Sequence, residues 1–90
     1  MNKSDLVESI ASAANISKVA AERGLNSMLR SMTNAIEEGE RVTLVGFGSF
    51  SVVDRAPRLG RNPKTGEAVH IPSRKGIKFR PGKELAARIR

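Results

Sequence analysis

The chain has 90 residues, no cysteine and a net charge of +7 at pH 7. This length predicts a single domain, residues 1–90, whose small core favours self-association into a homodimer, and the absence of cysteine excludes disulfides and cysteine-ligated zinc. No apolar run approaches the roughly 18 residues of a membrane span and the N-terminus lacks a signal-peptide pattern, so we expect no membrane contact and a cytoplasmic location.

The charge is divided unevenly along the chain. Residues 1–40 contain four Lys or Arg and six Asp or Glu, a net of −2, whereas residues 41–90 contain twelve and three, a net of +9. A basic half joined to a mildly acidic half indicates a polyanion-binding surface on one side. The alternative is an ordinary solvated surface.

Two amphipathic helices are predicted in the first half. Asn2 is a suitable N-cap, and apolar residues at helical spacing predict a helix from about 3 to 14. Ser17 is the next N-cap, for a second helix over 18–38 that Gly39 ends. The apolar stripe of the second helix consists of Ala21, Leu25, Met28, Leu29, Met32, Ala35 and Ile36.

The role of the second helix has two interpretations. Its apolar stripe runs its whole length and its only basic residues after Lys18 are Arg23 and Arg30, so it suits a dimer seam better than a helix that reads a DNA groove. Gly24 in its middle costs roughly 1 kcal/mol relative to Ala. This glycine either lets another helix approach closely or is simply tolerated.

The second half predicts an antiparallel sheet. Alternating β-branched residues predict a strand at 41–45, Gly46 and Gly48 supply the backbone freedom of a sharp turn, and a return strand covers 50–55. A strand at 77–80 completes a three-stranded sheet.

A short third helix is predicted from about 83 to 89. Its buried face is expected to consist of Leu85, Ala86 and Ile89. The fold class is therefore α+β: an N-terminal helical hairpin, a three-stranded antiparallel sheet with a long protruding β-ribbon arm, and a short C-terminal helix. Residues 1–39 form the helical dimerisation part, and 40–90 the sheet, the arm and the last helix.

The arm is predicted over about 55–74. Proline and glycine punctuate this basic segment, and Asn62-Pro63-Lys64-Thr65-Gly66 suits a defined turn between two extended limbs better than a disordered basic loop. Duplex DNA carries one charge per ~1.7 Å of axis, so cations along such a ribbon are candidate phosphate ligands. The candidate DNA-binding residues are Arg55, Arg58, Arg61, Asn62, Pro63, Lys64, Arg74, Lys75 and Lys78, with Arg80 and Lys83 at the body end.

Pro63 at the arm tip has two interpretations. It is either only a turn former, or an apolar wedge that enters between base steps and kinks the duplex.

The aromatic content bears on the class of nucleic acid. The chain has three Phe and no Trp or Tyr, and all three lie among apolar strand neighbours. They therefore favour core positions over the stacking platforms of single-strand and RNA binders. Double-stranded DNA is the expected partner, and a basic RNA- or ribosome-associated structural protein is the alternative.

No catalytic, cofactor-binding or metal-binding constellation is visible. The one histidine, His70, is isolated in the arm, Asp54 and Glu67 have no carboxylate close in sequence, and no phosphate-binding glycine loop occurs. We expect neither an enzyme nor a small-molecule substrate.

Three motifs make the whole chain resemble the bacterial DNABII proteins, HU and integration host factor: Val45-Gly46-Phe47-Gly48-Ser49-Phe50, Gly60-Arg61-Asn62-Pro63-Lys64-Thr65-Gly66 and Phe79-Arg80-Pro81-Gly82-Lys83. The resemblance implies an intertwined dimer whose two arms embrace the minor groove, in a nucleoid-associated, histone-like protein that bends and condenses DNA with little sequence specificity. It implies the wedge role for Pro63. It also implies phosphate contacts for Arg55, Arg58, Arg61 and Lys83, and more weakly for Lys3, Lys75 and Arg80.

The resemblance also contains departures. The length and N-terminus are most like HU, whereas Arg55-Ala56-Pro57-Arg58 and residues 79–85 are more similar to integration host factor, whose two different subunits read sequence through DNA deformability. A subunit of such a site-specific heterodimer is the alternative within the family. Val53 replaces a commoner basic residue, and Gly76-Ile77 replaces a commoner Val-Pro.

Overall fold

The shape of the chain is elongated. The computed structural model describes residues 1–55, 58–71 and 74–89, so 56–57 and 72–73 of the predicted arm lie outside the described residues. The principal extents are 60 × 31 × 27 Å and the radius of gyration is 19.2 Å. A compact domain of this length has a radius of gyration of roughly 12 Å, so the chain does not fold into one compact body.

The helices and strands follow the predicted order. The helices are α1 Lys3–Ala14, α2 Lys18–Glu37 and α3 Lys83–Arg88, and the strands are β1 Val42–Leu44, β2 Gly48–Arg55, β3 Arg58–Arg61, β4 Ala68–Ile71 and β5 Arg74–Pro81. Strands β1, β2 and β5 form one antiparallel sheet with β2 in the centre, and β3 pairs with β4 as a separate ribbon. The α+β class and the ribbon are confirmed.

Local hydrogen bonds explain the helix starts. The Asn2 side chain accepts the Asp5 N–H at 3.1 Å and the Asp5 carboxylate accepts the Asn2 N–H at 2.9 Å, which is a capping box. Ser17 Oγ accepts the Ala20 N–H at 3.1 Å. Beyond the end of α2, Gly39 has a φ of 79°, a left-handed conformation that glycine adopts without strain.

The prediction for Gly48 was wrong, whereas that for Gly46 is confirmed. Gly46 has a φ of 84° and makes the turn. Gly48 instead is the first residue of β2, and it is buried. A Cβ atom there would lie 2.6 Å from Phe79 Cζ and 2.7 Å from the Arg80 carbonyl oxygen. Close packing, rather than backbone freedom, requires glycine at this position.

The buried core of the single chain is small. Among the described residues only four apolar side chains are buried, all at the contact of α1 and α2: Val7, Ala11, Ala21 and Leu25. Further along the stripe of α2, Met28 and Leu29 are 46% and 43% exposed. Of the predicted buried face of α3, Leu85 is half-buried, whereas Ala86 and Ile89 are exposed.

Candidate nucleic-acid interface

The two faces of the three-stranded sheet differ in chemistry. Alternate strand residues point to opposite faces, and the register pairs Phe50 with Phe79 and Val52 with Ile77. These residues share an apolar face with Val42 and Leu44 of β1, on which the Phe79 ring lies 4.9 Å from that of Phe50 and 5.5 Å from that of Phe47.

The opposite face, which we call the basic face, collects four of the predicted cations. It consists of Thr43, Ser49, Ser51, Val53, Arg55, Arg74, Gly76, Lys78 and Arg80. The four cations are exposed and lie along one side of β2 and β5, with small hydroxyl residues between them. Sequence reasoning missed these hydroxyl residues, although the alternation of Ser49 and Ser51 with larger apolar residues was the available signal.

The Arg55 side chain lies over Gly76. A Cβ atom on Gly76 would lie 3.0 Å from Arg55 Nε and 3.5 Å from its Nη2, so the guanidinium group lies across β5 where the glycine has no side chain. Glycine at position 76 therefore leaves room for the Arg55 guanidinium group on the basic face.

Lys75 is separated from the basic face. It pairs with Asp54 on the apolar side of the sheet and lines a groove of about 300 Å³ with Glu37 and Glu38 at the end of α2. The carbonyl end of a helix is electronegative, so the surroundings of Lys75 are acidic. The structure does not bring Lys75 together with the other predicted ligands.

The ribbon of β3 and β4 ends in a tip closed by its own hydrogen bonds. The Asn62 N–H donates to the Glu67 carbonyl at 2.8 Å, and the Gly66 N–H donates to the Asn62 carbonyl at 2.7 Å. Gly66 has a φ of 73°. Pro63 and Lys64 are exposed at the end of the tip. The predicted turn between two extended limbs is therefore present.

Two of the predicted cations, Arg61 and Arg58, lie at opposite ends of strand β3. Arg61 Nη1 donates to the Gly66 carbonyl at 3.3 Å, so its guanidinium group lies beside the tip loop. Arg58 begins β3 and pairs with Ile71. The ribbon thus contributes an arginine at each end of its first strand.

Lys3 and Lys83 lie on other elements. Lys3 is the first residue of α1 and is exposed. It lines a groove together with Glu8 and Lys18, which form an ion pair at 3.2 Å. Lys83 is the first residue of α3, directly after Gly82, whose N–H donates to the Phe47 carbonyl at 2.8 Å. The turn that contains Phe47 therefore fixes where α3 starts.

The described residues contain no group of three His, Cys, Asp or Glu side chains that could hold a metal ion. Within the same residues, no helix is both long and apolar enough to cross a membrane.

Comparisons with known proteins find relatives that match nearly the whole chain. The family model described as "Bacterial DNA-binding protein" matches residues 1–90. DNA-binding protein HU-beta of Neisseria meningitidis is 54% identical over 85 residues, which is 94% of this chain and 96% of that protein. Integration host factor subunit beta of Methylococcus capsulatus is 49% identical over 90 residues, 99% of this chain and 95% of that one. Among solved structures, an Anabaena HU–DNA cocrystal structure matches with a TM-score of 0.88 and 40% identity, over 99% of this chain and 97% of that one.

Proposed function

The chain belongs to the family of bacterial DNA-binding proteins, and from this premise we propose that it is an architectural protein of the nucleoid. It forms a homodimer that binds duplex DNA through the minor groove with little sequence preference, and it bends and compacts that DNA. The observation that carries the proposal is the basic face, where Arg55, Arg74, Lys78 and Arg80 lie together beside a protruding basic ribbon.

The apolar surface of the single chain supports the dimer. The accessible surface is 7695 Å², whereas a folded protein of 9.7 kDa exposes about 5,100 Å². The excess, about 2,600 Å² per chain, corresponds to about 5,200 Å² for two chains, which is the upper end of what obligate dimers bury. It includes Ile77 at 64% exposure and Phe47 at 47%. A second copy that covers the apolar face would complete the core, with 1–39 as the helical dimerisation part of one 90-residue domain.

The cations of the basic face and the ribbon are proposed to contact phosphates. Each Lys or Arg that neutralises a phosphate releases condensed counterions, which drives binding without reading sequence. Proposed ligands are Arg55, Arg58, Arg61, Arg74, Lys78, Arg80 and Lys83, with Lys3 on the flank. For Lys75 the acidic surroundings support a weaker contribution.

The arm tip is proposed to enter the minor groove and to kink the duplex. Pro63 is exposed there between Asn62 and Lys64. A proline ring carries no charge, so at a base step it replaces base–base stacking with apolar contact, and unstacking costs a few kcal/mol. In duplexes that are already nicked or flexible, unstacking a base step costs less free energy. We therefore expect them to be bound more tightly than intact duplex.

The test is a titration of the purified chain, with no second protein, against random-sequence, nicked and pre-bent duplexes. The proposal predicts that the chain alone binds the random duplex and prefers the distorted ones. Tighter binding to an RNA duplex of the same length would overturn it in favour of an RNA- or ribosome-associated role.

A second candidate is a subunit of a site-specific DNA-bending heterodimer. The observation that favours it is the 49% identity with an integration host factor subunit over 90 residues. In that case the chain alone would bind weakly, and addition of a second, different subunit would be needed for tight binding to one sequence. The same titration separates the two candidates.

A further inference from the structure

Asn62 is the residue around which the arm tip is built. Its backbone N–H donates to the Glu67 carbonyl at 2.8 Å, and its carbonyl accepts the Gly66 N–H at 2.7 Å, so both groups close the loop. Its side-chain oxygen Oδ1 accepts the Lys64 N–H at 2.9 Å. Asn62 thus makes three hydrogen bonds within a loop that ends only five residues later.

The side-chain bond spans Pro63. An asparagine that accepts the N–H two residues further on forms a ring that imitates a backbone turn, and here Pro63 is the residue inside that ring. Proline fixes its own φ near −65° and donates no N–H, so it cannot hold itself in place by hydrogen bonding. The orientation of its ring relative to the ribbon therefore depends on the bonds of its neighbours.

Asn62 and Pro63 also differ in solvent exposure. Asn62 is half-buried, whereas every residue from Pro63 to Glu67 is exposed. The asparagine side chain thus lies against the loop, and the proline lies outside it. Thr65 makes a comparable local bond, because its Oγ1 accepts the Glu67 N–H at 3.3 Å, but that bond does not span Pro63.

We propose that Asn62 is a positioning residue. It holds the Pro63 ring in its outward orientation in the free protein, so that the ring can bend DNA on binding. This inference rests on the proposed function, in which Pro63 is the wedge. A neutral hydrogen bond of this kind shifts a two-state equilibrium by roughly two- to tenfold. Loss of the Asn62 side chain therefore lowers the ratio of tips that present the proline to tips that do not by that factor.

The experiment compares Asn62→Ala, Asn62→Ser, Pro63→Ala and the double variant Asn62→Ala/Pro63→Ala. The DNA bend is measured at saturating protein by fluorescence transfer between the ends of a labelled duplex, together with the preference for nicked over intact duplex. Serine keeps a hydroxyl acceptor that supports the same kind of turn and removes the amide. Thr65→Ala is the matched control, because it removes a tip hydrogen bond that does not span the proline.

Asn62→Ala is expected to lower the nicked-duplex preference by up to about tenfold and to reduce the bend toward that of Pro63→Ala, with an unchanged salt slope. Asn62→Ser is expected to give most of the bend of the parent protein, and Thr65→Ala the same bend as the parent. The double variant bends DNA no less than Pro63→Ala, because residues that act through one another are not additive. An unchanged thermal melt shows that each variant is folded.

Three results would overturn the inference. If Asn62→Ala bends DNA like the parent, the asparagine does not position the wedge. If Asn62→Ser fails like Asn62→Ala, or the double variant loses more than Pro63→Ala, the amide contacts the DNA itself. A parent protein that neither binds nor bends duplex DNA would instead overturn the proposed function.

Discussion

Substitution of Gly48 by alanine tests the packing between the sheet strands. The added Cβ would lie 2.6 Å from Phe79 Cζ and 2.7 Å from the Arg80 carbonyl oxygen, whereas carbon atoms in contact are about 3.5–4.0 Å apart. The ring of Phe79 packs against Phe47 and Phe50, so moving it away also disturbs these two contacts. The carbonyl belongs to β5, which pairs with β2 along its whole length.

Overpacking of this kind costs about 1–3 kcal/mol per chain. In a domain of this size 1 kcal/mol corresponds to about 4–8 °C in Tm, so a cost of about 2 kcal/mol lowers Tm by at least about 8 °C. Differential scanning calorimetry at a fixed protein concentration measures the shift.

The matched control is Ser51→Ala, which removes a hydroxyl from the other face of the same strand. We expect it to change stability by less than about 0.5 kcal/mol. If Gly48→Ala shifts Tm no more than Ser51→Ala does, close packing is not the reason that position 48 is glycine.

Three further predictions concern the dimer, the second helix and the arm. The Tm of the parent rises with protein concentration because association stabilises the folded state; a concentration-independent melt with a monomeric sedimentation mass would contradict the dimer. Gly24→Ala raises stability by about 0.8–1.0 kcal/mol per chain, since nothing lies within 4 Å of the added Cβ, and a lowered Tm would indicate that the partner's helix approaches there. Arg61→Ala lowers the slope of log affinity against log salt by about one or two per dimer and weakens binding to all duplexes alike; an unchanged slope would mean that its guanidinium group stays on the tip loop.

The parts of the fold that were predictable from sequence are those fixed by neighbours in the chain. Asn2 and Ser17 cap helices through bonds to residues three positions on, so the helix starts could be read directly. The tip was equally predictable, because Pro63 and Gly66 constrain the backbone by themselves. In each case the residues that fix the local structure lie only a few positions apart in the sequence.

The parts that were not predictable depend on residues far apart in sequence. The reason for glycine at position 48 is Phe79, which only the register of β2 and β5 brings beside it. The same register places Lys75 opposite Asp54, away from the basic face, although its neighbours Arg74 and Lys78 lie on that face. Strand β5 is also longer than predicted, Arg74–Pro81 instead of 77–80, because β2 supplies a partner for every residue.

The central claim is that cations of the basic face and the arm bind DNA phosphates without reading sequence. The most direct test is the affinity of the purified chain for two unrelated duplexes over a range of salt concentrations. Our account predicts a slope of log affinity against log salt of about −5 to −9, which corresponds to roughly 6–10 phosphate contacts per dimer, and the same slope for both duplexes. A shallow slope, with strong preference for one of the two sequences, would contradict it.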